Sequence, residues 1–201
     1  MKKAIQHLKT ADPVLGTIIE RVGPYKMQYR DPSFHSLARA IVYQQLSGKA
    51  ASTIFNRLTA AAKADPLTPE SILKLRPARM RTLGLSKQKL TYIRELARMT
   101  RDGQVRFDHV HTLEDAEIIE HFTQVKGVGV WTAQMFLIFA LRRLDVLPTG
   151  DLGVRAAIKK AYDLPELPTP EEMEKIAAAW RPYCSVASWY LWRSLDTPAA
   201  M

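Results

Sequence analysis

Apolar residues recur along the chain at spacings of three and four, and no stretch alternates convincingly with period two. After Asp12-Pro13, a pair suited to the cap and first position of a helix, Val14, Ile18, Ile19 and Val22 share one face until Gly23-Pro24 ends it. Phe34, Leu37, Ala38, Ile41 and Val42 keep helical spacing from Asp31-Pro32 or Ser33 to Gln44-Gln45-Leu46, where Ser47-Gly48 interrupts. Ala51, Ile54, Phe55, Leu58 and Ala62 make the next face. Short helices are predicted from Thr68 to Arg76-Pro77 and from Ala78 to Leu83, and Ser86 caps a longer one that ends at Asp102-Gly103. Thr112 precedes a helix bearing Leu113, Ala116, Ile119 and Phe122. Helices are also expected over 131–143 and 152–162, from Thr169-Pro170 through Trp180, and over 183–195. Gln104 to Phe107 is a faint strand candidate. The pattern predicts an all-α protein of about ten helices with short connections and no internal repeat.

A length of 201 residues suits one large domain or two small lobes. No apolar run approaches the ~18–20 residues that a membrane span needs, and residues 1–12 lack the apolar block of a signal peptide. The single cysteine, Cys184, excludes an intrachain disulfide, a cysteine-ligated zinc site and an iron–sulfur cluster. A cytoplasmic location is the resulting expectation. The net charge of +9 changes the picture more, because it suggests a polyanionic partner. Arg76, Arg79, Arg81, Lys87, Lys89, Arg94, Arg98 and Arg101 crowd the middle of the chain, a pattern that an ordinary solvated helical face would also produce.

Candidate chemistry concentrates between Gln124 and Arg155. Gly127-Val128-Gly129 joins two helical segments, and such glycines permit positive φ and expose amides at a helix start. Amides of that kind hold a phosphate without reading sequence, although a glycine-terminated helix would read the same way. Carbonyls on the other side of the hairpin could hold a monovalent cation. Asp151 follows the second glycine by 22 residues and is a good helix N-cap before LGVRAAI. An ionised carboxylate there cannot donate a proton, but it stabilises a developing cation or orients a water. Hydrolysis at a sugar carbon usually employs two carboxylates. The stretch offers only Asp145 as a second, so one carboxylate suffices if the leaving group is already cationic. Trp131, Trp180, Tyr183, Trp189, Tyr190 and Trp192 supply planar surfaces on which an extruded base could stack, or else core. Gln44-Gln45 is either a solvated helix end or a tip able to fill the gap such a base leaves. The five histidines show no metal-ligand spacing, and no phosphate-binding glycine loop or serine-nucleophile motif is present.

KGVGVWTAQMF followed by DVLPTGDLGVR resembles the helix-hairpin-helix and catalytic-aspartate signature of the helix-hairpin-helix (HhH-GPD) DNA glycosylase superfamily. The match is closest to its alkylated-base branch, the 3-methyladenine DNA glycosylase II (AlkA and yeast MAG) type, and extends from about Phe34 through IVYQQLSGKAA to WRPYCSVASWYLWR. The resemblance implies a compact two-lobed helical fold without the β-rich N-terminal domain of larger bacterial members. One lobe is expected over about 30–110 and the other over about 111–201 with 1–29, the helix-hairpin-helix lying at about 113–143. It implies that Asp151 is catalytic, and that Gly127, Gly129 and the neighbouring Lys126, Val128, Val130 and Thr132 grip a phosphate. Carbonyls of Thr123, Val125 and Val128 are implied to surround a Na⁺ or K⁺ ion, no other cofactor being required. Gln45, or its neighbour Gln44, is implied as the duplex plug. Trp131 and Trp192 would line the base pocket, with Met135 and Leu152 standing where some relatives have tyrosines. Trp131 occupies the position at which bifunctional members carry a Schiff-base lysine, so a monofunctional enzyme is implied. The expected activity is excision of N-alkylated purines from double-stranded DNA by a monomer. The alternatives are a glycosylase for hypoxanthine, ethenoadenine or uracil, and a non-catalytic DNA-binding module.

Overall fold

The computed structural model describes residues 1–196; the remaining five, which the expected second lobe includes, lie outside the described residues. Among the described residues there are twelve α-helices, two short 3-10 turns and no strand, so Gln104 to Phe107 is a connection. No helix is long and apolar enough to cross a membrane.

The chain divides into two compact units, one of residues 30–141 and the other of 1–29 with 142 onward. The boundary therefore falls after Leu141, some thirty residues beyond the expected position. In the first unit, α3 (Phe34–Tyr43), α4 (Gly48–Ala62), α5 (Pro69–Lys74), α6 (Pro77–Thr82), α7 (Lys87–Arg101), α8 (Asp115–Thr123) and α9 (Val130–Phe139) pack together. α9 lies against both α3 and α8, which is why the whole helix-hairpin-helix belongs to this unit. Its core includes Leu37, Ile41, Phe55, Leu58, Ile93, Leu96, Ile118, Phe122 and Phe136. Ile118, rather than the expected Ile119, is the inward isoleucine of α8.

The second unit packs α1 (Lys2–Ala11) on α2 (Pro13–Val22), and both α2 and α10 (Leu152–Ala161) on α12 (Cys184–Asp196). α11 (Pro170–Ala177) runs into a 3-10 turn that ends at Trp180. Trp180, Tyr190 and Trp189 are core residues here. Asp12 caps α2 by accepting Leu15 N–H, and it also accepts the indole N–H of Trp180 and the hydroxyl of Tyr162. This buried carboxylate is thus fully used in structure.

Helix starts follow local chemistry. Ser33, Ser47, Thr68, Ser86, Asp151 and Thr169 each accept a backbone N–H from the first turn of the helix they open, at about 1 kcal/mol apiece. Ends were less legible. α3 stops at Tyr43 instead of running through Leu46, and α9 stops at Phe139 instead of Arg143. α1 lacks a side-chain cap and buries only Ala4 and Leu8, which leaves little local signal for it.

Much of the positive charge along α6 and α7 is spent inside the unit. Arg81 donates to Leu85 O, Arg94 to Leu75 O, and Arg101 pairs with Asp102.

Candidate active site and nucleic-acid interface

In the second unit, the chain turns through Pro148–Asp151, with Asp151 N–H donating to Pro148 O at 2.9 Å, and enters α10. Asp151 is the N-cap and is only 8% exposed. Its Oδ1 accepts Val154 N–H at 2.8 Å and the Trp192 indole N–H at 2.8 Å. A carboxylate oxygen held by two donors at the positive end of a helix is fixed in direction as well as in place. Gly153 makes this possible, because a Cβ there would lie 3.1 Å from Asp151 Oδ1 and 3.1 Å from Trp192 Cδ1. Leu152, the next residue after the carboxylate, is 66% exposed. Asp145, the other acid of this stretch, accepts Cys184 N–H and pairs with Arg181. Burial pushes its carboxyl up, but these hydrogen bonds outweigh burial and hold it below the usual range. Asp145 is therefore a structural group, not a second acid for catalysis.

In the first unit, the turn between α8 and α9 depends on Gly127 at φ +89°. A Cβ there would overlap the ring of Tyr92 on α7. Gly129 differs from expectation, since it takes an ordinary φ of −94° as the N-cap of α9 and has open space where a Cβ would stand. The ladder of α9 begins with Ala133 N–H to Gly129 O, so the amides before it point out of the helix start. Gly129 and Val130 are exposed there, as is Lys126. One expected phosphate contact needs correction: Val128 is buried and its N–H is committed to Val125 O at 2.9 Å. Thr132 is buried and its Oγ1 accepts a bond from Gln44. Val125 O accepts only Val128 N–H among the main-chain bonds of the turn, and Thr123 is the last residue of α8; neutral carbonyls of this kind suit a monovalent cation.

The two glutamines have different tasks. Gln44 turns its amide inward, donating to Gly127 O at 2.8 Å and Thr132 Oγ1 at 2.9 Å. That ties the end of α3 to the hairpin and removes Gln44 as a plug. Gln45 has φ +54° and is exposed. Trp131 and Met135 line a largely apolar cavity of about 340 Å³ with Arg39, Tyr43, Phe136 and Phe139. Arg39 lies 3.7 Å over the Tyr43 ring, and burial lowers its pKa.

The sequence pattern of the HhH-GPD superfamily base excision DNA repair proteins matches residues 38–182, well over half of the chain. The chain belongs to that superfamily. It is 34% identical over 200 residues to DNA-3-methyladenine glycosylase 1 of Schizosaccharomyces pombe, covering 96% of this chain and 87% of that one. Among solved structures, the S. pombe 3-methyladenine DNA glycosylase Mag1 in complex with abasic DNA matches with a TM-score of 0.87 and 35% identity, covering 94% of this chain and 95% of that one. A DNA-3-methyladenine glycosidase of Bacillus halodurans matches with a TM-score of 0.80 and 34% identity, covering 96% and 89%. The all-α HhH-GPD fold and the alkylated-base branch expected from KGVGVWTAQMF are thus borne out.

Seen as an HhH-GPD protein, the chain brings Asp151 and Trp192 together in one unit, and Trp131 and Met135 in the other. Gly153 makes room for the Asp151–Trp192 pair, Tyr92 packs on Gly127, and Lys89 bonds the carbonyls of Val42 and Gln44, none of which the sequence announces. A glycine two places after a capping aspartate signals nothing by itself, and Lys89 read as one charge among eight.

Proposed function

We propose that this chain is a monofunctional DNA glycosylase that hydrolyses the N-glycosidic bond of N-alkylated purines, such as 3-methyladenine and 7-methylguanine, in double-stranded DNA. The observation that carries the reading is Asp151, held by Val154 and Trp192 at the start of α10. Membership of a base excision repair superfamily supports it, as do relatives named 3-methyladenine glycosylases.

The chemistry follows from having one carboxylate. N-alkylation makes the purine cationic, so the C1′–N bond breaks with its electron pair returning to an already positive base, and no general acid is needed. Asp151 stabilises the oxocarbenium-like sugar and orients the attacking water, whose oxygen bonds to C1′ and whose proton passes to solvent. The products are a free base and an abasic site. Trp131 has no amine with which to form a Schiff base, so the strand is left intact. Gln45 fills the gap left by the extruded base, and the Gly129–Val130 amides hold a phosphate. Stacking on tryptophan favours a cationic base by roughly 0.5–2 kcal/mol. Carbonyls of Thr123, Val125 and Val128 would hold a Na⁺ or K⁺ ion that adds positive charge beside that phosphate. The protein acts as a monomer in the cytoplasm.

The test is release of methylpurines from methylated duplex DNA by wild type and Asp151→Asn. Asparagine keeps the N-cap, so the variant stays folded while excision falls by about a hundredfold or more. Strand breaks appear only after hot alkali. Full activity in folded Asp151→Asn would falsify the mechanism. Preferential release of a neutral lesion would move the substrate class to hypoxanthine or ethenoadenine.

A further inference from the structure

α3 ends abruptly at Tyr43, although apolar spacing and residue type would allow it to continue. A lysine from another helix sits on that end. Lys89 Nζ, on the first turn of α7, donates to Val42 O at 2.8 Å and to Gln44 O at 2.6 Å. Both acceptors are main-chain carbonyls at the negative end of α3, where a cation is favoured. The ammonium is turned inward, and burial lowers its pKa. Gln44 is thereby held from two sides, its carbonyl by Lys89 and its side-chain amide by Gly127 O and Thr132 Oγ1. The next residue, Gln45, takes the left-handed conformation at φ +54°, which a glutamine keeps only when its surroundings enforce it. Gln45, Lys89, Tyr92 and Gly127 line one cleft, so the brace lies next to the tip it serves.

The geometry points to Lys89 as a positioning residue that holds Gln45 in its outward, left-handed conformation and so sets the protein's preference for duplexes with a vacated base position. This rests on the reading of Gln45 as the plug. A lysine in a basic run would ordinarily be taken for a phosphate contact, and the two roles predict different behaviour. A phosphate contact adds to affinity for any duplex and contributes about one unit to the salt dependence of binding. A brace acts only through Gln45.

The test measures binding to a duplex carrying a tetrahydrofuran abasic analogue and to the intact duplex, over a range of salt. Wild type, Gln45→Ala, Lys89→Met and the double variant are compared. Wild type prefers the abasic duplex. Gln45→Ala and Lys89→Met each lower that preference by about tenfold, the size expected for losing a charge-assisted contact. The double variant is no worse than Gln45→Ala, and the salt slope of Lys89→Met equals that of wild type. Lys89→Arg keeps the charge but not the convergence on two carbonyls, and it falls between; it carries the test if Lys89→Met does not fold. A salt slope reduced by about one, additive losses in the double variant, or an unchanged preference in Lys89→Met would each overturn the assignment. Wild type without any abasic preference would remove it together with the plug. Wild type that prefers the abasic duplex but releases no methylpurine would strike the proposed substrate and leave Lys89 as assigned.

Discussion

Trp192 donates its indole N–H to Asp151 Oδ1 at 2.8 Å, the same oxygen that caps α10 through Val154. An aromatic placed by resemblance in the base pocket is therefore also a clamp on the carboxylate. Trp192→Phe keeps a ring and removes the donor. Single-turnover excision is expected to fall by about tenfold, the loss of one hydrogen bond to a charged group, while duplex affinity changes less than twofold. An unchanged excision rate would show that the clamp has no catalytic role.

Gly153 separates stability from activity. Alanine is a better helix former than glycine, and Gly153, in the first turn of α10, does not adopt a left-handed conformation. Its Cβ would nevertheless press on both Asp151 Oδ1 and Trp192 at 3.1 Å. Gly153→Ala is expected to melt at or above the wild-type temperature yet to excise about tenfold more slowly, since small displacements at a reacting centre are costly. Parallel melting and single-turnover measurements check both halves, and a variant with wild-type rate would show that the pair yields without consequence.

The hairpin glycines are not equivalent. Gly127→Ala places a side chain at φ +89° and against Tyr92, so a loss of about 1–3 kcal/mol in stability is expected, with weaker duplex binding. Gly129→Ala meets no neighbour within 4 Å and an ordinary φ, so its melting temperature stays at the wild-type value. Equal stability losses at both positions would contradict this turn geometry.

His35 links stability to pH. Its Nδ1 accepts Leu67 N–H at 2.9 Å, and burial, the larger influence on it, lowers its pKa from 6.5. The unfolded chain then takes up the proton first. This contribution is fully present above about 6.5 and is lost as pH falls from there through the lower folded-state value. Wild type is expected to lose stability between pH 7.5 and 5.5. His35→Asn keeps an acceptor near the Nδ1 position but has no proton to gain, so it loses less over that interval. Denaturant titrations at the two pH values decide, and equal losses would remove His35 as the source.

What was legible in the sequence is what depends on neighbours in sequence. Asp12, Ser33, Ser86, Asp151 and Thr169 mark helix starts because a capping side chain reaches only two or three residues ahead. The hairpin glycines and Asp151 lie within one short stretch, so the family could be read from their order and spacing alone. Helix ends were harder. The lysine on the end of α3 at Tyr43 is Lys89, 46 residues further along, and no local pattern announces it.

The sequence by itself determined most of the helices, the caps at their starts, and the superfamily. Only the tertiary structure decided what each of these faces. It assigned Gln44 inward and Gln45 outward, because hydrogen bonds from Gln44 to Gly127 and Thr132 cross more than 80 positions of chain. The division after Leu141 likewise follows from α9 packing on α3 and α8. It separated Trp180, Trp189 and Tyr190, which fill the core, from Trp131 and Trp192, which stay partly open. The physical reason is the same throughout: capping and helical periodicity are short-range, whereas close approach, burial and the direction of a polar side chain depend on residues that only folding brings near.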